Sequence, residues 1–201
     1  MKTLQVLFFV LYRLLFCFPL YSKTACLKST GFVNRLFLYY VPLIILATNN
    51  LWNGVTVNDS WFEIICPICL MLSVRFIEEV IFRGFLFRAI AKDNVKTAII
   101  LSSITFGIGH LLNLVNGRGM EFATNLFQVL GTIAFGFLFV ILFYLSGSLL
   151  PCIIPHSVIN ILSAFANETG LTVERRIAFI LIKFIIIAIY VLILTKTLPE
   201  K

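Results

Sequence analysis

Apolar residues follow one another along the chain in long stretches that only short polar segments interrupt. Most stretches reach about 17 to 25 residues, the length at which a helix crosses the hydrocarbon of a bilayer. The pattern therefore predicts an all-α, polytopic transmembrane helix bundle of about seven spans, with six to eight compatible with the apolar runs. The predicted spans are residues 4–20, 32–47, 61–90, 97–114, 125–145, 151–166 and 177–195.

The composition indicates that the solvent of this chain is lipid. Of its 201 residues, 60% are apolar and only 12% are charged, and the mean hydropathy is +1.03. A soluble domain cannot expose so much apolar surface. We therefore expect one integral-membrane domain, residues 1–201, with its chemistry concentrated in a core of about residues 61–166.

The basic residues are dispersed rather than clustered, although the formal net charge is +7. Dispersed Lys and Arg between apolar spans are typical of positive-inside anchoring and of contact with anionic lipid. They do not form the continuous basic patch that a nucleic-acid partner requires. The expected environment is the lipid bilayer of a bacterial plasma membrane, with no nucleic acid bound.

Two adjacent carboxylates, Glu78 and Glu79, interrupt the predicted third span. Ionisable groups at that depth are costly and usually mark function. Glu79 has Arg75 and Arg83 four residues to either side, whereas Glu78 points about 100° away and has only Arg75 nearby. The hypothesis is that Arg83 holds Glu79 ionised for a structural role, while Glu78 acts as a general base.

The two histidines of the chain both fall inside predicted spans, His110 in the fourth and His156 in the sixth. His156 and Asn160 are four residues apart and share one helical face. If the third and fourth spans turn at residues 91–94, the depths of Glu79 and His110 differ by roughly 6 Å, about one helical turn. We therefore predict that Glu79 and His110 meet across this hairpin.

Three short motifs occur in order, each on its own predicted span. They are Glu78-Glu79-x-x-x-Arg83, Phe106-x-x-x-His110 and His156-x-x-x-Asn160, and Gly84 follows the first. Over about residues 61–166 they resemble the CAAX protease and bacteriocin-processing (CPBP, or Abi) family of intramembrane proteases. The resemblance implies an enzyme, a membrane-embedded peptidase that hydrolyses a peptide bond in or near the membrane.

The resemblance also implies roles for the motif residues. Glu78 and His110 would position and activate a water molecule. Glu79 with Arg83 would hold the site together. The remaining motif, His156 with Asn160, would polarise the scissile carbonyl and stabilise its oxyanion, a task that fixed donors perform best where water is scarce.

Metal dependence has two predicted versions. A zincin requires a His-Glu-x-x-His motif, and the sequence has none. Two histidines and a glutamate nevertheless suffice for catalytic zinc, and the candidate ligands are His110, His156 and Glu78. We predict the version without a cofactor, in which the paired glutamates act as an acid–base device, with zinc as the metalloprotease alternative.

The substrate expected from the resemblance is a membrane-associated protein or peptide. CAAX-type processing, peptide maturation and bacteriocin self-immunity all fit that description. Two other classes of function stay open from sequence. A non-catalytic membrane adaptor or immunity protein would bind a partner through its helices, and a proton-coupled transporter would use the same polar groups as an ion relay.

Overall fold

The computed structural model describes residues 41–56, 61–111 and 122–197, and this part of the chain is helical. Its elements, in chain order, are α1 Val41–Ala47, a 3₁₀ turn Asn49–Leu51, α2 Trp61–Glu79, a π-helical segment Val80–Phe87, α3 Arg88–Ala91, α4 Val95–Ile108, a 3₁₀ turn Gly109–Leu111, α5 Phe122–Ser146, α6 Leu150–Ser163 and α7 Val173–Thr197. One isolated antiparallel bridge joins Val55 to Ala166. The all-α prediction is confirmed for these residues.

Two of the described helices are long and apolar enough to cross a membrane, Asn125–Ser146 and Val173–Lys196. They correspond to the predicted fifth and seventh spans. The predicted sixth span is shorter than expected, because α6 ends at Ser163 and its 14 residues cover only about 21 Å. Seven spans are thus not confirmed. The predicted span 4–20 lies outside the described residues, and of span 32–47 only Val41–Ala47 is described.

The predicted third span continues unbroken through α2, the π-helical segment and α3. π-Helical turns are rare and often lie at functional sites. Within this segment the Phe82 carbonyl accepts a hydrogen bond from Ser102 Oγ of α4, at 2.8 Å. The helix ends at Ala91, and Asn94 caps α4 by accepting from the Thr97 amide at 3.0 Å. The hairpin turn therefore lies where the sequence predicts it.

Helix α5 supplies the centre of the hydrophobic core. Its buried side chains include Leu138, Phe139 and Leu142. They join buried residues of α1, α4, α6 and α7 and of the π-helical segment in one apolar cluster. Because α5 contacts α4, α6 and α7 at once, it sets the positions of the helices that carry the polar motifs.

Two glycines allow α4 and α5 to approach each other closely. A Cβ on Gly136 would lie 2.9 Å from the Ser103 carbonyl oxygen, and one on Gly107 would lie 3.0 Å from the Ile133 backbone nitrogen. Backbone atoms cannot move aside as the end of a side chain can. The close spacing of these helices therefore depends on glycine at both positions.

Two loops join at one end of the bundle. Asn53 Nδ2 donates to the Asn167 carbonyl at 2.8 Å, and the Thr56 amide donates to the Phe165 carbonyl at 3.1 Å. Asn50 Nδ2 donates to the Ile159 carbonyl of α6 at 2.6 Å. These bonds fix the segment after α1 against the end of α6.

The Gly136→Ala substitution should destabilise the protein, because the added methyl meets backbone of α4 and overpacking of this kind costs about 1–3 kcal/mol. Gly131→Ala, on the same helix, is the matched control. A Cβ there meets nothing within 4 Å, so we expect unchanged or slightly higher stability. Thermal unfolding in detergent measures both, and equal unfolding temperatures for the two variants would contradict the close approach.

Candidate active site

Glu79 is the buried carboxylate of the site, with no exposed surface. Its Oε1 lies 2.7 Å from Nδ1 of His156 on α6. Its Oε2 lies 3.3 Å from Nε of Arg83, four residues later. One carboxylate thus binds both a histidine from a different helix and an arginine one turn away.

Arg83 is as completely buried as its partner. Its guanidinium carbon lies 4.1 Å above the centre of the Phe106 ring, and Nη2 donates to the Gly136 carbonyl at 3.3 Å. A cation over an aromatic face is stabilised most where water is excluded. Arg83 therefore connects the π-helical segment to both α4 and α5.

Glu78 has different surroundings from Glu79. Its side chain is 25% exposed and pairs with Arg75 at 2.5 Å. Its Oε2 lies 3.8 Å from Nε2 of His156, too far for a direct hydrogen bond. The two carboxylates therefore face the two nitrogens of one imidazole from different sides.

The His156 ring is held between aromatic side chains. Phe106 and Phe139 each lie 5.5 Å from it, measured between ring centres. Asn160, one turn further along α6, donates Nδ2 to the His156 carbonyl at 2.9 Å. Packing and hydrogen bonds together fix the orientation of His156, with Nδ1 towards Glu79.

His110 lies in the 3₁₀ turn that follows α4, and its carbonyl accepts from Asn125 Nδ2 at 3.3 Å. The predicted contact with Glu79 is not the one formed, because the carboxylate pairs with His156 and Arg83 instead. Among the described residues no ion pair joins His110 to a carboxylate. Similar depth in a hairpin does not bring Glu79 and His110 into contact, because His156 of the third helix, α6, occupies the position beside Glu79.

A cavity of about 250 Å³ brings together three of the six candidate residues, His110, His156 and Asn160. The polar residues that line it are Asn49, Asn50, Arg75, His110, Gln128, Thr132, His156, Asn160, Ser163 and Lys183. His110 and Asn160 therefore meet the His156 ring across this space. A site of this kind has the room and the polar groups to hold a water molecule and part of a peptide.

The predicted zinc ligands do not form a metal site in the described part of the chain. No group of three His, Cys, Asp or Glu side chains there is placed to hold a metal ion. His156 directs Nδ1 to Glu79, and Glu78 pairs with Arg75. The arrangement of these donors gives the metalloprotease alternative no support.

Comparison with known families assigns the chain. The family model described as type II CAAX prenyl endopeptidase Rce1-like matches residues 60–162. The chain belongs to this family. The resemblance expected from the three motifs is thereby confirmed, and the chain is a member of a family of membrane-embedded peptidases. No curated protein matches the chain, and no solved structure matches it.

Several residues of the Rce1-like site belong to none of the three motifs and were not predicted from the sequence. Asn50 reaches the cavity from the segment after α1, and only the fold shows that it does. Lys183 could have been predicted as a site residue, since it is the one charged residue between positions 177 and 195. Phe106 was noted as part of a motif, but its contact with both Arg83 and His156 was not predicted.

Replacing Arg83 with Met should destabilise the fold by about 3–5 kcal/mol, because the Glu79 carboxylate would stay buried without its cation. The Arg176→Met variant is the control, since the ion pair of Arg176 with Glu168 is largely exposed and such pairs contribute little. Thermal unfolding of both variants in detergent tests this. A loss as large in Arg176→Met would show that burial does not distinguish the two pairs.

Proposed function

We propose that this Rce1-like chain is an intramembrane endopeptidase in which Glu78 activates water for attack on a peptide bond. One observation carries the proposal: the Glu78 carboxylate lies 3.8 Å from Nε2 of His156, and His156 lines a cavity together with His110 and Asn160. Glu79 cannot serve as the base without giving up two buried contacts. Of the two glutamates, only Glu78 has exposed surface.

In the first step, a water molecule binds between Glu78 and His110. Arg75 holds the Glu78 carboxylate in place in the resting site. The water oxygen attacks the carbonyl carbon of the scissile bond while one of its protons passes to Glu78. General-base assistance of this kind contributes about 10² to 10⁴ in rate.

The tetrahedral intermediate carries a negative oxygen that needs donors. In the proposed mechanism His156 is protonated on both nitrogens throughout: Nδ1–H donates to Glu79 and Nε2–H donates to the oxyanion. Asn160 contributes its amide. Donors fixed before the reaction stabilise the developing charge without further reorganisation. Glu79 and Arg83 act here as positioning residues, because they orient His156 and do not touch the substrate.

Collapse of the intermediate completes the hydrolysis. The carbon–nitrogen bond breaks, and Glu78 returns its proton to the leaving nitrogen. The products are a new carboxyl terminus and a new amino terminus, and Glu78 is again ionised. No species other than the peptide and one water molecule is consumed.

For the substrate, we propose a membrane-associated protein or peptide, with CAAX-type processing as the first candidate because of the family's description. Large apolar side chains are exposed on the described helices, as lipid contact requires, among them Ile154 and Leu181. A lipid-anchored peptide would then approach within the same environment. A bacterial plasma membrane is the proposed location.

Glu78→Gln should lower the turnover of a membrane-tethered peptide at least a hundredfold, because the amide cannot accept the proton of water. Its fold should persist, since Glu78 is partly exposed. Asp93→Asn is the control, an exposed carboxylate in the turn before α4 whose loss should leave turnover unchanged. Circular dichroism reports the fold, and peptide cleavage in liposomes reports activity.

The same assay separates the alternatives. Cleavage by wild type and by Glu78→Gln at equal rates would sink the assignment of the base. The assay is repeated with a panel of membrane-tethered peptides of different sequence. If wild type cleaves none of them, the endopeptidase proposal fails and the adaptor hypothesis takes its place.

Chelation tests the proposal that no metal takes part. The proposed mechanism needs only Glu78, water and fixed donors, so turnover should survive prolonged exposure to a strong chelator. A matched sample supplemented with zinc should show no gain. Loss of turnover on chelation, with recovery on adding zinc, would make the enzyme a metalloprotease instead.

A further inference from the structure

Lys183 is a cation in the middle of an otherwise apolar helix. It lies ten residues into α7, about 15 Å along the axis from Val173. The residues three and four positions away on both sides are apolar: Phe179, Ile180, Ile186 and Ile187. A charge at such a position is costly, and in membrane proteins it usually faces a partner or a water-filled cavity.

The carboxylates described near the site already have partners. Glu78 pairs with Arg75, Glu79 with Arg83 and Glu168 with Arg176. Within residues 41–56, 61–111 and 122–197, Lys183 itself forms neither an ion pair nor a hydrogen bond with any side chain.

Lys183 lines the catalytic cavity and also the space outside it. A second cavity of about 320 Å³ adjoins the first. The residues that line both are Asn49, Asn50, Phe127, Gln128 and Lys183. Lys183 therefore lies at the junction of the two cavities, where a peptide that reaches His156 would also pass the lysine.

We propose that Lys183 binds a carboxylate of the substrate and so selects where the peptide is cleaved. The inference rests on the proposed endopeptidase function and adds the chemical class of its substrate, an anionic peptide. An ammonium in a water-poor cavity forms strong, charge-assisted hydrogen bonds with a carboxylate. The carboxylate is either the C-terminus of the peptide or an acidic side chain close to the scissile bond.

The test uses lipidated peptides of one sequence in liposomes of zwitterionic lipid. One peptide has a free C-terminal carboxylate, one is amidated, and further amidated peptides carry a single Glu at successive positions. Wild type should cleave at least one carboxylate-bearing peptide about ten- to a hundredfold more efficiently, in kcat/KM, than the neutral amide. If the free acid is cleaved more efficiently than the neutral amide, the carboxylate is the C-terminus of the peptide. If a peptide with one internal Glu is cleaved more efficiently, the carboxylate is an acidic side chain.

Three variants assign the preference to the lysine. Lys183→Gln should lose the preference for the carboxylate, so that its kcat/KM for the carboxylate-bearing peptide falls to that for the neutral amide. Lys183→Arg should keep the preference, because it retains the charge. Lys196→Gln is the matched control, since Lys196 lies exposed at the end of the same helix and lines neither cavity.

Two outcomes would overturn the inference. One is an undiminished carboxylate preference in Lys183→Gln. The other is a Lys183 effect that appears only in liposomes containing anionic lipid, which would make the lysine a site for a lipid phosphate.

Binding of the same peptides to Glu78→Gln, measured by fluorescence, gives an answer that does not need turnover. If the free acid binds better than the amide but nothing is cleaved by wild type, the endopeptidase proposal fails while the Lys183 site stands. If peptides are cleaved without regard to charge, the Lys183 inference fails and the endopeptidase proposal stands.

Discussion

The buried Glu79 carboxylate is the constraint on which the rest of the site depends. Its two oxygens face His156 of α6 and Arg83 of the π-helical segment, and Arg83 continues the connection to α4 and α5. Burying these charges costs much of what their attraction returns. Their contribution is therefore mainly one of position, since a shift of any one helix would leave a charge unpaired in an apolar core.

This use of Glu79 explains why two adjacent carboxylates differ. Consecutive residues on a helix point about 100° apart, so one glutamate is directed into the core while its neighbour stays partly exposed. Glu79 is engaged on both oxygens, whereas Glu78 keeps 25% of its side chain exposed next to His156. Sequence adjacency thus produces one positioning group and one group that can meet water.

The sequence allowed the helices, the turn at residues 91–94 and the motif residues to be predicted, because each depends on local periodicity or spacing. The pairing of Glu79 with His156 could not be predicted, because it depends on how α6 packs against α2. The length of α6 was overestimated, since Ala164 and the residues after it are apolar enough to extend the run but leave the helix to join the loop at Val55. The predicted roles of the six site residues stay predictions.

The cavity combines two parts with different physical tasks. The residues proposed for chemistry lie in α2, the π-helical segment, the 3₁₀ turn after α4, and α6, inside the stretch shared with the family. Its outer wall is completed by Asn49 and Asn50 before that stretch and by Lys183 after it. Transition-state stabilisation requires a fixed set of donors, whereas recognition depends on whatever charge and shape line the approach. In the proposed enzyme, a change confined to α7 would therefore alter which peptide is selected and leave the groups proposed for chemistry in place.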